Sequence, residues 1–245
     1  MAWREYFAFG SFRILTAGAG AVFEDLAVRI DSDADFEWQR TTYNATSPLI
    51  YLRFRDESMG RYLNKLNSDI QAVGSNFAGT PFILPRPYVI QAGTNFTTEA
   101  ADYSGFANTL RFTMQGAKIR QGKAPWDRRF RALVPFIYPV RQLVGAGLTA
   151  SLRIEIDNDA HFLVQKISGT RTGACLINFK EGSRDRDWFN QDLEFDTVIG
   201  NGQFPNVLFA SRFIYRGSVI AINLQDLTGA PNTVEIDLIG VKLYE

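Results

Sequence analysis

The chain has one cysteine and one histidine in 245 residues. A lone Cys175 excludes an intrachain disulfide, and with only His161 beside it no Cys/His zinc cluster can be assembled. Any Ser-His-Asp or Cys-His device would have to use His161, which has no Ser or Cys next to it in sequence. Net charge is missing as well: 26 basic and 26 acidic side chains cancel, so no overall field draws the chain to nucleic acid or an anionic membrane. Long hydrophobic runs are also lacking. The most apolar stretch, "ALVPFIYPV" from Ala132, falls far short of the roughly 20 residues that span a bilayer and contains Pro135 and Pro139. Arg4 and Glu5 break up the opening "MAWREYFAFGSF" before a secretory apolar region can form. The expectation is a soluble protein with no visible export signal. No segment carries a helical apolar stripe longer than about two turns, which makes helix a minor element.

Core-forming material is plentiful. Hydrophobic residues make up 46%, charged residues 21%, and there are 20 phenylalanines, the composition of a chain that folds without staples. The sequence is also written twice. Asp31 and Phe36 recur 126 positions later as Asp157 and Phe162, Phe54 recurs 125 later as Phe179, and Asn64 and Gly74 recur 126 later as Asn190 and Gly200. Gly105, Asn108, Thr109, Gly116 and Lys118 recur 124 later as Gly229, Asn232, Thr233, Gly240 and Lys242. "WREYF" at Trp3 pairs weakly with "WDRRF" at Trp126. The boundary is expected in "RQGKAPWD", at residues 120 to 127, giving domains 1–121 and 122–245. Units of this size close their own cores, so the pattern reads as a tandem duplication, not a solenoid.

Apolar residues at alternate positions, Leu26, Val28 and Ile30 and then Leu152, Ile154 and Ile156, indicate strands with one buried face. Trp38 is in phase with Phe36 and is expected in the core. The final strands of both copies switch apolar parity at Gly116 and Gly240, which predicts a bulge at each glycine that turns both segments towards the core. "PFILPRPYVI", with Pro81, Pro85 and Pro87, is expected at a sheet edge or crossing between sheets. The predicted class is all-β: two tandem antiparallel sandwiches of jelly-roll type.

Asp31, Asp33 and Asp35 alternate in a way that can bind calcium. An EF-hand loop would need glycine and glutamate where Phe36 and Thr42 stand, so the expected role is a turn in which short acidic side chains bond to their own backbone. His161 takes the place of Asp35 in the second copy and is expected to be a solvated loop residue. Cys175 aligns with Ile50 and reads as packing. "KIRQGKAPWDRRFR" holds six basic residues against Asp127, a solvated linker or a seat for an acidic surface. Trp3, Trp38, Trp126, Trp188, Tyr51 and Tyr62 are the aromatics available for stacking on sugars. Tyr62 and Trp188 align in a duplicated loop that suits a ligand platform or a subunit contact. The candidate partner contacts are thus Tyr62, Trp188, Pro85, Arg86, Pro87, Trp126, Arg128 and Arg129.

"IDSDADFEWQR", "FRDESMGRYL", "PFILPRPY", and last strands ending "GAKI" and "GVKLY" after an "NT" turn resemble small β-sandwich structural proteins of tailed-bacteriophage virions, over nearly the whole chain in two copies. The resemblance implies a non-enzymatic decoration or cement protein, or a neck, tail or adaptor component. Such a protein is made in the host cytoplasm and located in the virion, in several copies or as a homo-oligomer. Its expected partners are the major capsid protein and neck or tail proteins, without membrane, nucleic acid, cofactor or metal. A carbohydrate-binding host-recognition module using Tyr62 and Trp188 is the alternative of another class, and a glycan-degrading enzyme a third.

Overall fold

The computed structural model describes residues 2–16, 22–126, 130–182 and 185–245. Strands before residue 122 are β1 (Ala2–Leu15), β2 (Glu24–Arg29), β3 (Asp35–Ala45), β4 (Ile50–Asp56), β5 (Arg61–Tyr62), β6 (Ser68–Asp69), β7 (Phe82–Ile90), β8 (Asn95–Asp102) and β9 (Asn108–Gln121), with one helical turn, α1 (Ile70–Val73). The same order follows in β10 (Ala132–Val144), β11 (Thr149–Glu155), β12 (His161–Arg171), β13 (Cys175–Glu181), β14 (Arg186–Asp187), β15 (Leu193–Glu194), α2 (Phe195–Val198), β16 (Asn206–Ile214), β17 (Val219–Asp226) and β18 (Asn232–Tyr244). All ladders between these strands are antiparallel. One sheet of the first half runs β1-β9-β3-β7 and the other β2-β8-β4-β5, with β6 also on β4. The second half repeats this as β10-β18-β12-β16 and β11-β17-β13-β14, with β15 on β13. Successive long strands alternate between facing sheets, the winding of a jelly roll. The protein is therefore all-β, with two tandem sandwiches as the alternation of apolar residues predicts.

The bulges lie across the ladder from the glycines. Trp38 faces Gly116 and Arg40 faces Gln115, leaving Gln39 as the extra residue in β3. Val164 faces Gly240 and Lys166 faces Ile239, leaving Gln165 extra in β12. The β1–β9 and β10–β18 registers run unbroken, so β9 and β18 are not re-phased, and Ala117 and Val241 stay on the outer face. The glycines make the close approach possible: a Cβ at Gly116 would stand 1.9 Å from the Glu37 carbonyl oxygen, and one at Gly240 2.0 Å from that of Leu163.

β7 is an edge strand, as its prolines require. Its pairing with β3 jumps from Trp38↔Tyr88 to Arg40↔Ile83, so Leu84 to Pro87 are outside the ladder, where prolines forfeit no hydrogen bond. β16 makes the same jump, from Val164↔Arg212 to Lys166↔Val207. The N-terminal match fails: Phe7 and Phe136 both face the strand glycine, so β1 and β10 lie 129 positions apart and Trp3 and Trp126 are not equivalent.

Candidate functional site

The duplicated aspartates are a lysine clamp. Lys118 extends inward from β9 over the Phe7 ring, 4.1 Å from its centroid, and its Nζ donates to Asp31 Oδ2 at 2.5 Å and Asp33 Oδ1 at 3.1 Å. Lys242 lies 4.3 Å from the Phe136 centroid and donates to Asp157 Oδ2 at 2.6 Å and Asp159 Oδ1 at 3.1 Å. An ammonium nitrogen thus occupies the space between carboxylates where a cation would sit, and the carboxylates serve a cross-strand lysine and not their own turn. The Lys242 hydrogen bond, opposed by burial and aided by Tyr138, holds Asp157 below the usual carboxylate range. For Asp33, burial pushes upward but Arg120 and Lys118 outweigh it. Among the described residues no group of three or more His, Cys, Asp or Glu is placed to hold a metal.

The third position of each turn has its own repeated task. Asp35 Oδ1 accepts the Ala92 N–H at 2.9 Å, and His161 Nδ1 accepts the equivalent Arg216 N–H at 3.1 Å. His161 is buried, not solvated: it packs against Phe213, Tyr215 and Phe130 and faces Glu245 through Nε2 at 3.2 Å. Cys175 is buried like its counterpart Ile50, and burial pushes its thiol up to about 12, far from thiolate chemistry at neutral pH.

The two sandwiches meet along β1, which belongs to both. Phe7 and Phe9 point into the first core, while Tyr6 and Ala8 are part of the second. The free edge of β1 is closed by the segment around Phe189: the Ala8 N–H donates to the Trp188 carbonyl at 3.2 Å and the Asn190 N–H to the Ala8 carbonyl at 3.3 Å. The Asn190 side chain extends the pairing, accepting the Gly10 N–H at 2.7 Å and donating to the Gly10 carbonyl at 3.1 Å. Beside this edge, Gln115 and Thr42 donate to the Thr197 carbonyl at 2.6 and 2.8 Å. Arg212, fully buried, donates to the Tyr6 carbonyl at 3.0 Å and lies over the Trp188 ring at 4.9 Å. Glu5 completes the charge chain, paired with Arg120 at 2.8 Å and Arg186 at 3.4 Å. Burial alone would raise Glu5, but Arg212, Arg120 and Arg186 together hold it below its ordinary value.

The sequence-named contacts divide sharply. Trp188 has no surface to offer a partner or a sugar: it is fully buried, stacked on Phe179 at 5.0 Å between centroids. Tyr62 is its partner only in lettering. The ladders pair Tyr62 with Arg55 and Asp187 with Lys180, so the offset in this hairpin is 125 and the true counterpart of Trp188 is Leu63. The same one-residue slip separates Asn64 from Asn190 and Gly74 from Gly200. Asn64 folds back within its own half, accepting from the Phe54 N–H at 2.9 Å. Tyr62 is 44% exposed, its hydroxyl donating to Glu99 at 2.8 Å. Pro85, Arg86 and Pro87 are exposed on β7. Trp126 packs edge-on against Trp3 of β1 at 5.4 Å and lies near Phe213 of β16, so the connector touches both halves. Arg128 and Arg129 lie outside the described residues. The signal that could have revealed the junction was the run Tyr6, Phe7, Ala8, Phe9, apolar at both parities as a strand buried on both faces must be.

No protein-family model and no curated protein matches the chain. Solved structures similar to it include the major capsid protein P2 from Bacteriophage PM2, at 11% identity and TM-score 0.28 over 97% of each chain. Others are the PBSX exported protein XepA, at 12% identity and TM-score 0.26 over 98% of this chain and 86% of that one, and the CBM22 tandem domain of Paenibacillus barcinonensis Xyn10C, at 10% identity and TM-score 0.18 over 98% and 93%. Likenesses this loose identify no family, and the chain's role has to be read from its own surfaces.

Proposed function

We propose that the chain is a non-enzymatic structural subunit of a bacteriophage particle: a decoration or cement protein that bridges neighbouring capsid subunits, with a seat at the neck or tail as the variant of the same reading. The observation that carries it is the large aliphatic side chains presented outward at both ends of a doublet that is itself firmly joined. Leu133, Ile137 and Leu143 stand on β10, and Leu66 and Ile83 on the opposite half, all more than half exposed. Surfaces of this kind are protein contacts. The closed-off state of Cys175 and His161, the two residues on which nucleophilic or histidine-based chemistry would rest, supports a role without turnover. Mass spectrometry of purified particles of the phage encoding this sequence is expected to find the chain at fixed stoichiometry, and imaging to place it. Its absence from clean particles removes the proposal.

A carbohydrate-recognition role is favoured by one feature. Tyr51 and Tyr103 pack edge-to-face at 5.0 Å along an open groove with Leu49 and Leu66, and Tyr62 is also accessible. Such rings stack on sugars. A glycan array decides it: binding that is lost in Tyr103→Ala or Tyr62→Ala, with incorporation into particles unchanged, makes recognition the main role.

A further inference from the structure

The outer edge of β1 takes a partner segment, and the matching edge of β10 is built to refuse one. In the first half the Ala8 N–H and carbonyl face away from β9 and pair with the Trp188 carbonyl and the Asn190 N–H, and Gly10, two residues on, pairs with the Asn190 side chain. Register carries Tyr6, Ala8 and Gly10 onto Pro135, Ile137 and Pro139 of β10. The β10–β18 ladder runs unbroken through both prolines, from Ala132↔Tyr244 to Val144↔Asn232, because a proline nitrogen that faces outward takes no bond from the ladder. Both missing donors therefore lie on the open edge, one on each side of the outward N–H of Ile137. This edge would otherwise invite a strand. It is 13 residues long and, among the described residues, unpaired; its one charged residue is Arg141, and Leu133, Ile137 and Leu143 are more than half exposed along it. β11, another edge of the same half, is 7 residues long and shows Arg153 and Glu155 to solvent, so brevity and charge protect it.

We propose that Pro135 and Pro139 are an edge guard: they keep β10 of one copy from pairing with β10 of another, while leaving the aliphatic side chains of the strand free for other contacts. Their spacing suits the task. In an antiparallel β10–β10 pair centred on Ile137, Pro135 of each copy stands opposite Pro139 of the other, so both hydrogen-bonded pairs that flank the centre lose both of their donors. The bonds that remain are those of Ile137 and, farther out, of Leu133 and Arg141. Such a pairing joins like surfaces and would close as a twofold dimer. The guard is a property of the chain alone, and so it stands or fails separately from the virion role.

Sedimentation velocity and amide hydrogen exchange of the full chain test it. The double variant Pro135→Val with Pro139→Val restores both N–H groups with side chains of similar size. It is expected to dimerise at lower concentration than wild type, and the new amides at 135 and 139 to exchange about tenfold or more slowly in the dimer than in dilute protein. The wild-type Ile137 amide is expected to exchange at one rate at every concentration. Pro139→Gly, which places at 139 the residue that the first half has at the matching position, serves if the double variant does not fold, and is expected to dimerise more weakly. A folded variant that associates no more than wild type, a dimer in which the restored amides exchange freely, or a wild-type Ile137 amide that gains protection as concentration rises would overturn the proposal.

Discussion

Replacing Lys118 with methionine keeps the aliphatic stem over Phe7 and removes only the charge. The Lys118 side chain is 7% exposed, but its partners Asp31 and Asp33 have side chains 45% and 47% exposed and rehydrate readily. The loss therefore falls short of the 3–5 kcal/mol typical of breaking a fully buried pair. Two screened charge-assisted contacts and one cation–π contact, less the desolvation that methionine no longer suffers, leave about 1–2 kcal/mol. For a cooperative chain of this length that is a fall in Tm of roughly 2–8 °C. Lys242→Met should cost a similar amount, and the double variant the sum, because the clamps sit in different sandwiches. The pH dependence has a definite sign. Asp33 and Asp157 are depressed in the folded state, so their contribution is complete above the unfolded carboxylate pKa of about 4 and fades as pH falls through the lower folded values. The difference between wild type and variant, measured by thermal melts, should narrow steadily below about pH 4. Millimolar calcium should leave the wild-type Tm unchanged, since the lysines already neutralise the acidic turns. A Lys118→Met variant as stable as wild type at pH 7, a gap that persists in acid, or calcium raising Tm would refute this account.

Trp188→Ala should cost about 3–5 kcal/mol in urea melts and Tyr62→Ala less than about 1 kcal/mol, a contrast that equivalent residues would not show. Gly116→Ala and Gly240→Ala each drive a methyl into a carbonyl across the ladder and should destabilise by about 3 kcal/mol or more, read the same way. Cys175 should resist a thiol reagent in the native protein at neutral pH and react at the rate of unfolding, so its labelling reports the opening of the second core.

Much of the architecture was legible because strand alternation and a doubled vocabulary are both local in sequence. Leu26, Val28 and Ile30 and their second-copy equivalents point inward as their spacing demands, and the prolines of β7 placed it at an edge. The failures came where letters coincide without shared geometry. Asn64 and Asn190 look homologous, but a one-residue difference in the hairpin loop puts one back into its own sandwich and the other onto Gly10 of the neighbouring one. The bulges were expected at glycine because parity changes there, yet ladder strain is shared by two strands, and Gln39 and Gln165 absorbed it. His161 looks like a loop residue because a turn precedes it; the rings that bury it, Phe130, Phe213 and Tyr215, stand well away from it in sequence, before β10 and at the end of β16. The clamps were invisible for the same reason: Lys118 lies 87 positions from Asp31.

A strand that serves two cores changes what the duplication means today. Cutting the chain at the connector would not return two ancestral monomers, because the second half would be left with a hole where Tyr6 and Ala8 fit and with Arg212 stranded beside it. The copies have become obligate to one another, and the whole length should melt as a single unit, with the doubling surviving only as a record in its plan.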